Sequence, residues 1–363
     1  MEQLTAVLER AQQRVAVLDP IDHRGRLEHF MFDVLDPAET SKKYALIPLA
    51  PDNGPVVMPD PVTLSPLAVR QLCQRLGMPV KFKDRLEELK QAKLLSINLN
   101  TLMQHNRNSL TMIRTIKGEG FRSARAILGS QYQPLDDAEL LTVAAPYLEG
   151  ADVAFSQFGE SSTHITAVWP DTIQDGLARG VHIANSEVGM RAITVEAVAY
   201  REHCANILPA LGLGGLGDGE QGYNEGNAYY RNKNRALKGS ATTSWRFIHR
   251  GDTSRLASFV EDAVNDASRQ YEGVVARWRQ GLTDMVLDPI GAIGDVSNQC
   301  NLTAEHVKSV LASWAETRPD FGDCRTGITN AFTHAAQKEE DPEERYSLQS
   351  AGTFALGQYR LPN

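Results

Sequence analysis

Four segments with alternating apolar and polar residues decide the fold: VAFSQF at 153–158, STHITAVW at 162–169, GVHIAN at 180–185 and MRAITVEAVAY at 190–200. Period-two alternation is typical of β-strands that turn one face toward a core. The connections between the segments are too short for the crossovers that parallel strands need, so the spacing predicts an antiparallel meander. Residues 243–250 alternate in the same way, and we expect them to join that sheet.

Helical patterns surround the meander. Residues 2–18 repeat apolar side chains at intervals of three and four, and Ser65-Pro66 is a typical helix start because serine caps the helix and proline suits its first turn. Residues 255–280 carry a long apolar stripe, and a further helix is expected after the cap residue Thr303. The patterns together predict an α+β fold, with a mostly antiparallel sheet flanked by helices and an N-terminal helical extension.

The chain of 363 residues is expected to contain an N-terminal extension (1–60), a main domain (61–337) and a C-terminal segment (338–363). Residues 212–226 (GLGGLGDGEQGYNEG) hold seven glycines, which predicts a mobile surface loop inserted in the main domain. The charged run KEEDPEER at 338–345 is interpreted as a solvated turn.

Positive charge is concentrated although the whole chain has a net charge of -8. Residues 228–250 (AYYRNKNRALKGSATTSWRFIHR) contain six Lys or Arg residues and no Asp or Glu, and residues 107–125 contain five cations against Glu119. An acidic body suppresses non-specific polyanion binding, while a local basic segment still attracts a phosphate chain. The candidate contacts to nucleic acid are Tyr229, Tyr230, Arg231, Lys233, Arg235, Lys238, Trp245, Arg246, Arg250, Arg114, Lys117 and Arg122.

Two interpretations of the segment 228–250 remain open. Single strands need several cations along the backbone and aromatic rings that stack on bases, and this segment has both. Alternatively, the cations form a solvated face and the aromatic rings are buried. Strand alternation places Trp245 and Phe247 on one face and Arg246 and Arg250 on the other.

Motifs for catalysis or cofactor binding are missing from the sequence. It has no P-loop GK[ST], no GxSxG, no HExxH and no DxDxDG, and its four cysteines form no CxxC pair. The formal GxGxxG at 212–217 is followed by DGEQGYNEG, a poor helix, which argues against a dinucleotide site. We therefore expect no cofactor and no metal, and an enzyme is the third choice among functions.

One acid/base arrangement remains as an alternative. Glu187 and Glu196 lie in the meander with His182 and His203, but their odd spacing places the two carboxylates on opposite faces. The interpretation that we favour is a turn capped by Asn185, Ser186 and Glu187.

Five blocks of sequence resemble the uncharacterised phage/plasmid-like protein family: RLGMP (75–79), RAILGSQYQPLDDAELL (125–141), GVHIANSEVGMRAITVEAVAYREHCANIL (180–208), FIHRGDTSRL (247–256) and, more loosely, TGITNAFTHAAQ (326–337). The resemblance implies a mobile genetic element, often near replication and recombination genes, and it implies no catalytic residues. The chain departs from the family pattern at Asn206-Ile207, where NG is usual, and in the Gly-rich insertion that follows.

These observations predict a non-enzymatic nucleic-acid-binding accessory protein of phage or plasmid replication and recombination, with single-stranded DNA as the favoured partner. The alternative is a structural or adaptor protein that docks other mobile-element proteins. If the two basic segments lie on one face of the protein, nucleic-acid binding is favoured. If they lie on opposite sides, or if acidic neighbours pair with their cations, the adaptor is favoured. No apolar run approaches the roughly 20 residues of a membrane helix, so we expect a cytoplasmic protein without a membrane partner. The sequence leaves the oligomeric state open.

Overall fold

A computed structural model describes residues 2–35, 43–49, 60–106, 110–118, 120–201, 206–209, 229–234, 242–247 and 253–357. Its contacts divide the chain into two compact units. The first unit comprises Met1–Glu9, Asp137–Ser186 and Arg191–Asn363, and the second comprises Arg10–Asp136 and Glu187–Met190.

The strands and helices of the described residues are numbered in chain order. The strands are β1 (Glu2–Gln3), β2 (Ile21–Arg26), β3 (Phe30–Val34), β4 (Tyr44–Pro48), β5 (Val62–Leu64), β6 (Leu110–Ile116), β7 (Ser123–Gly129), β8 (Asp152–Phe158), β9 (Thr163–Gln174), β10 (Leu177–Asn185), β11 (Ile193–Arg201), β12 (Asn206–Pro209), β13 (Tyr229–Asn234) and β14 (Thr242–Phe247). The helices are α1 (Leu4–Leu18), α2 (Pro66–Arg75), α3 (Val80–Glu88), α4 (Ala92–His105), α5 (Asp137–Ala144), α6 (Leu256–Thr283), α7 (Pro289–Gln299), α8 (Ala304–Phe321), α9 (Arg325–Gln337) and α10 (Pro342–Gly357). This combination of helices with mostly antiparallel sheets confirms the predicted α+β class.

The first unit contains an eight-stranded sheet in the order β1-β8-β9-β10-β11-β14-β13, with β12 also paired to β11. All its described pairings are antiparallel. Strands β8 to β11 are neighbours both in the chain and in the sheet, which confirms the predicted meander. Because β14 pairs with β11, residues 242–247 extend the same sheet, as their alternation predicts.

Helix α6 packs on one face of this sheet. The ring of Phe259 lies 5.5 Å from the ring of Phe247 between centroids, and both side chains are buried. The hydroxyl of Tyr271 shares its single hydrogen between the carbonyl oxygens of Leu177 (2.6 Å) and Thr172 (2.9 Å). Burying an aromatic side chain of this size stabilises a fold by roughly 1.5–3 kcal/mol. The apolar stripe of residues 255–280 therefore packs on the sheet as predicted.

Helices α7 to α10 share an apolar core that includes Ile293, Val310, Phe332 and Ala351. Helix α8 begins after Thr303 as predicted, since the Thr303 side chain accepts a hydrogen bond from the amide of the third helical residue. The interpretation of 338–345 as a solvated turn is correct for residues 338–341 and wrong for the rest, because residues from Pro342 onward form the first turn of α10.

The charged residues before α10 stabilise its start. The Oδ1 atom of Asp341 accepts hydrogen bonds from the amides of Glu343 (2.9 Å) and Glu344 (3.0 Å). A carboxylate in this position satisfies amides that have no partner within the helix, and it complements the positive end of the helix dipole. The acidic run is therefore a helix start.

The second unit contains a six-stranded sheet in the order β2-β6-β7-β5-β4-β3, in which β5 and β7 are parallel and the other described pairs are antiparallel. Helices α2, α3 and α4 bury apolar side chains in one core with this sheet. Asn100 of α4 fixes the helix to the edge strand, because its side chain both donates to the carbonyl oxygen of Phe32 (2.8 Å) and accepts from its amide (2.7 Å). Ser65 caps α2 as predicted, accepting from Ala68 N at 3.1 Å.

Two sequence predictions about domain organisation remain to be compared with the structure: the boundary after residue 60 and the mobile Gly-rich loop. The boundary expected between residues 60 and 61 falls inside the six-stranded sheet, between the paired strands β4 and β5. The Gly-rich residues 212–226 lie outside the described residues, so their predicted mobility stays a prediction. None of the helices in the described ranges combines the length and apolar character needed to cross a membrane.

Candidate functional site

The basic segment forms the outer hairpin of the eight-stranded sheet. Strands β13 and β14 pair antiparallel, with Tyr230 opposite Arg246 and Arg231 opposite Trp245 in register. The hairpin brings the backbones of predicted contact residues together, with Tyr229, Tyr230, Arg231 and Lys233 on β13 and Trp245 and Arg246 on β14. Three further predicted contacts, Arg235, Lys238 and Arg250, lie outside the described residues.

Arg114, from the other basic segment, is a core residue of the second unit. Its side chain is 1% exposed and forms ion pairs with Asp136 and, at 3.6 Å, with Asp22. Burial raises the pKa of both carboxyls, and the charge of Arg114 opposes that rise. The predicted contact between Arg114 and nucleic acid is therefore a misassignment, since the guanidinium is enclosed by the protein.

The remaining described cations of segment 107–125 also belong to the second unit. Arg122 contacts Asp19 Oδ2 at 2.9 Å, and Arg125 contacts Glu187 Oε2 at 2.5 Å. Lys117 is exposed. Three arginines of this segment are paired with carboxylates. The segment therefore does not form a second array of unpaired cations that could bind phosphates together with the hairpin.

A polar row crosses the face of the eight-stranded sheet opposite to the one that carries Ile193 and Phe247. In register, Thr166 of β9 lies opposite His182 of β10, and His182 lies opposite Glu196 of β11. The next position in this row is Ser244 of β14, so the row leads from the centre of the meander to the basic hairpin. Because neighbouring residues in register share a face, this row positions the side chains of Thr166, His182 and Glu196 next to each other.

Two histidines in this region form a continuous hydrogen-bonded chain. Ser162 Oγ lies 3.2 Å from His164 Nε2, and His164 Nδ1 lies 3.1 Å from His182 Nε2. His182 Nδ1 then lies 2.9 Å from Thr166 Oγ1. The tautomer with hydrogen on Nε2 fits both rings, because His182 Nε2 then donates to His164 Nδ1 and the Thr166 hydroxyl donates to His182 Nδ1. A chain of this kind can transfer protons.

The first turn of α10 covers the histidine pair. Glu343 Oε1 lies 3.2 Å from His164 Nε2, and Arg191 Nη1 donates to the same Glu343 oxygen at 2.8 Å. Tyr346 stacks on His182 with ring centroids 5.1 Å apart and an interplanar angle of 19°. His164 and His182 are 1% and 3% exposed, so the described arrangement shields both rings from solvent.

Burial sets the protonation states of this group. Burial is the main cause that lowers the pKa of His164; Glu343 opposes it and the charge of Arg191 lowers the pKa further. The pKa of His182 lies well below its ordinary value because of burial, His164 and Arg191. Burial would raise the pKa of the Glu343 carboxyl, but the hydrogen bond with His164 and the charge of Arg191 lower it to about 2. Two neutral imidazoles and an ionised carboxylate therefore exist at neutral pH.

Glu187 and Glu196, the carboxylates of the alternative acid/base pair, have different neighbours. Glu187 pairs with Arg125 in the second unit, while Glu196 of the first unit lies opposite His182 in register. His203 lies outside the described residues. Of the favoured turn residues, Asn185 donates to Asp137 Oδ1 at 2.8 Å.

The histidine pair was missed in the sequence, although a signal exists. His164 and His182 each precede an isoleucine in an alternating strand, so each histidine lies on the polar side of its strand. Two such strands joined by one turn bring the polar sides together. Glu343 gave no local signal, because it comes from a helix 179 residues further along the chain than His164.

Comparison with protein-family models, with curated proteins and with solved structures found no match. The resemblance of residues 125–141 and 180–208 to the phage/plasmid-like family therefore stays a prediction from the sequence. One group of described residues has side chains that could hold a metal ion: His306, Glu339 and Glu344.

Proposed function

We propose that this protein binds single-stranded nucleic acid, with DNA favoured, through the β13–β14 hairpin, and serves phage or plasmid replication or recombination as a non-enzymatic accessory protein. One observation carries the proposal. A segment with six cations, several aromatic residues and no carboxylate supplies β13 and β14, the outer strands of a sheet on which the long helix α6 packs. The mobile-element context rests on the sequence resemblance alone.

The hairpin combines the two chemical elements that a single-strand binder needs. Lys and Arg neutralise phosphates along the strand, and aromatic rings stack on any base. An antiparallel hairpin spaces residues of one face about 6.4–6.8 Å apart along each strand, which is comparable with the spacing of phosphates in an extended single strand. The acidic remainder of the chain repels phosphate elsewhere and directs it to this segment.

The pairing of Arg114, Arg122 and Arg125 with carboxylates restricts the proposal to one binding element. With three to five phosphates neutralised, the logarithm of the binding constant is expected to fall against the logarithm of the salt concentration with a slope of about -2 to -4. A larger array across both basic segments would give a steeper slope.

The test is a fluorescence-anisotropy titration of the full chain with labelled single-stranded DNA, duplex DNA and single-stranded RNA of the same sequence. We expect tighter binding of the single strands than of the duplex, because stacking on the aromatic residues requires free bases. Failure to bind single strands at low salt would end the proposal.

A specific observation favours the adaptor as the second candidate. Four large apolar residues from the last turn of α6 to the first turn of α7 are exposed: Leu282 (48%), Met285 (65%), Leu287 (94%) and Ile290 (58%). Clustered exposed apolar side chains are typical of protein-binding surfaces. Met285→Ser with Leu287→Ser would reduce binding of a protein partner in cross-linking experiments and leave oligonucleotide affinity unchanged, whereas unchanged cross-linking would count against the adaptor.

A further inference from the structure

A group of three titratable side chains lies around the first turn of α10, apart from the histidine pair. His306 of α8 places Nε2 3.2 Å from Glu344 Oε2 and 3.8 Å from Glu339 Oε2. One ligand atom from each residue lies within 4.8 Å of those of the others. The three residues come from α8, from the connection before α10 and from α10 itself, so helix packing creates the group.

The carboxylate of Glu339 is already oriented toward the ring. Its Oε1 atom accepts hydrogen bonds from the amides of Glu340 (3.0 Å) and Asp341 (3.2 Å). Arg345 fixes the same residue by donating from Nε (3.0 Å) and Nη2 (2.6 Å) to its carbonyl oxygen. These hydrogen bonds fix Oε1 and leave Oε2 free to bind a metal ion. Metal-binding carboxylates are usually held in this way by hydrogen bonds to surrounding groups.

We propose that His306, Glu339 and Glu344 bind a divalent transition-metal ion of the Zn²⁺ type. Ligands about 2.0–2.2 Å from a tetrahedral ion lie roughly 3.3–3.6 Å from each other, so distances of 3.2 and 3.8 Å need only small side-chain movements. An imidazole ligand selects Zn²⁺, Co²⁺ or similar ions over Mg²⁺ and Ca²⁺, which prefer oxygen. Two carboxylates balance the charge of the ion, and water takes the fourth position.

Access and burial are both suitable for a surface metal site. The side chain of His306 is 11% exposed, which fixes the ring, while that of Glu344 is 53% exposed. The ion can therefore enter from solvent. The ion pairs described for the Glu339 and Glu344 carboxylates are with His306, while Arg345, the cation near Glu339, donates to the backbone carbonyl of that residue.

A second histidine–glutamate pair in the same helical layer offers a comparison. His334 Nε2 lies 4.0 Å from Glu316 Oε1, but Lys338 Nζ contacts the other oxygen of Glu316 at 2.8 Å. The lysine already supplies the positive charge there. We therefore expect no metal ion at His334, and this residue serves as the matched control for His306.

The expected affinity is moderate. The other ring nitrogen of His306, Nδ1, is buried and has no hydrogen-bond partner in the described part of the chain. A ligand histidine is usually supported by an acceptor at that nitrogen, and losing such support weakens metal binding about 10–100-fold. We therefore expect micromolar rather than nanomolar binding of Zn²⁺.

The ion would stabilise the cover of the histidine pair. Glu344 is next to Glu343, which contacts His164, and Tyr346 of the same helical turn stacks on His182. An ion that joins Glu344 to His306 therefore restrains the turn that shields both rings. This role is independent of nucleic-acid binding by the hairpin.

The test uses the full chain, freed of metal with a chelator, in a calorimetric titration with ZnCl₂ and a parallel titration with CoCl₂ followed by visible absorption. We expect a saturable Zn²⁺ site, intense Co²⁺ bands typical of tetrahedral coordination and a higher unfolding temperature with Zn²⁺. MgCl₂ should produce none of these effects.

Variants assign the site. His306→Gln and Glu339→Gln should each weaken Zn²⁺ binding at least about 100-fold, since a direct ligand matters at least as much as an outer contact. His334→Gln should bind as the wild type does. Circular dichroism verifies that each variant is folded, and Glu339→Gln serves if His306→Gln does not fold. Wild-type affinity in Glu339→Gln, or no saturable site in the wild type, would overturn the proposal.

Discussion

His164 Nδ1 lies 3.1 Å from His182 Nε2 across two neighbouring strands, with the ring planes at 37°. One hydrogen atom suffices for this contact, so the pair is satisfied with both rings neutral. A proton added to either ring would place a charge inside a group that is almost fully buried beside Arg191, and this explains why the pKa values of both histidines are lowered.

Stability should therefore decrease on mild acidification. Above the ordinary histidine pKa of 6.5 the folded and unfolded chains hold both rings neutral; below it the unfolded chain takes up protons that the folded chain resists. The unfolding temperature is expected to fall from about pH 6.5 downward. Glu343 acts in another window: its contribution is present above its ordinary pKa of 4.5 and is lost as the pH falls toward about 2.

Variants identify the histidines as the source of this pH dependence. His182→Gln removes one titrating ring, so its unfolding temperature should change less between about pH 7.5 and pH 5.5 than that of the wild type. His105→Gln is the control, since His105 is exposed on α4. An unaltered pH dependence in His182→Gln would contradict the assignment.

Arg114→Leu should lower the free energy of unfolding by about 3–5 kcal/mol, because it leaves the carboxylates of Asp22 and Asp136 without their buried counter-ion. Chemical denaturation measures the change. Lys117→Leu, at an exposed cation of the same segment, should change stability by less than about 0.5 kcal/mol. Equal stability of the two variants would refute the structural role of Arg114.

Reversing two charges in the hairpin segment tests the proposed interface. Arg231→Glu with Arg235→Glu should weaken the binding of all single strands to the same degree, because phosphate contacts carry no base specificity. The control reverses two exposed arginines of α6, Arg269→Glu with Arg277→Glu, and changes the net charge equally. Similar losses in both double variants would point to net charge rather than to the hairpin.

Trp245→Ala separates stacking from burial. If the ring stacks on a base, as we propose, the variant loses about 1–3 kcal/mol of binding free energy and unfolds at the wild-type temperature. Phe121→Ala is the control, because Phe121 is 57% exposed in the other basic segment. A stability loss of about 3–5 kcal/mol with unchanged affinity would instead identify Trp245 as a core residue.

Gly180→Ala tests the packing of the central strands. A Cβ atom at Gly180 would lie 2.7 Å from the carbonyl oxygen of Ala167 and 2.9 Å from Val198 Cγ2, so the variant should lose about 1–3 kcal/mol of stability. Gly294→Ala in α7 meets no atom within 4 Å and should stabilise the protein by about 0.4–1 kcal/mol. A stable Gly180→Ala variant would show that β9 and β11 can move apart.

The sequence by itself determined the elements whose signals are local. Alternation over 153–200 predicted the meander, and the apolar stripe of 255–280 predicted the helix on the sheet, because side-chain direction repeats every two residues in a strand and every 3.6 in a helix. The caps at Ser65 and Thr303 were recognisable for the same reason, since each depends on neighbours a few residues away.

Only the tertiary structure decided which charged side chains are paired with counter-ions and which polar side chains are in contact. In the sequence alone Arg114 is indistinguishable from a free cation, because only the fold places Asp22 and Asp136 beside it. Residues 342–345 likewise resemble a continuation of the solvated turn at 338–341, although they form the first turn of α10. The contact of His164 with Glu343 joins residues 179 positions apart. Such pairings depend on strand register and helix packing. These bring together residues that are far apart in the chain, and the local sequence around one residue gives no information about its partner.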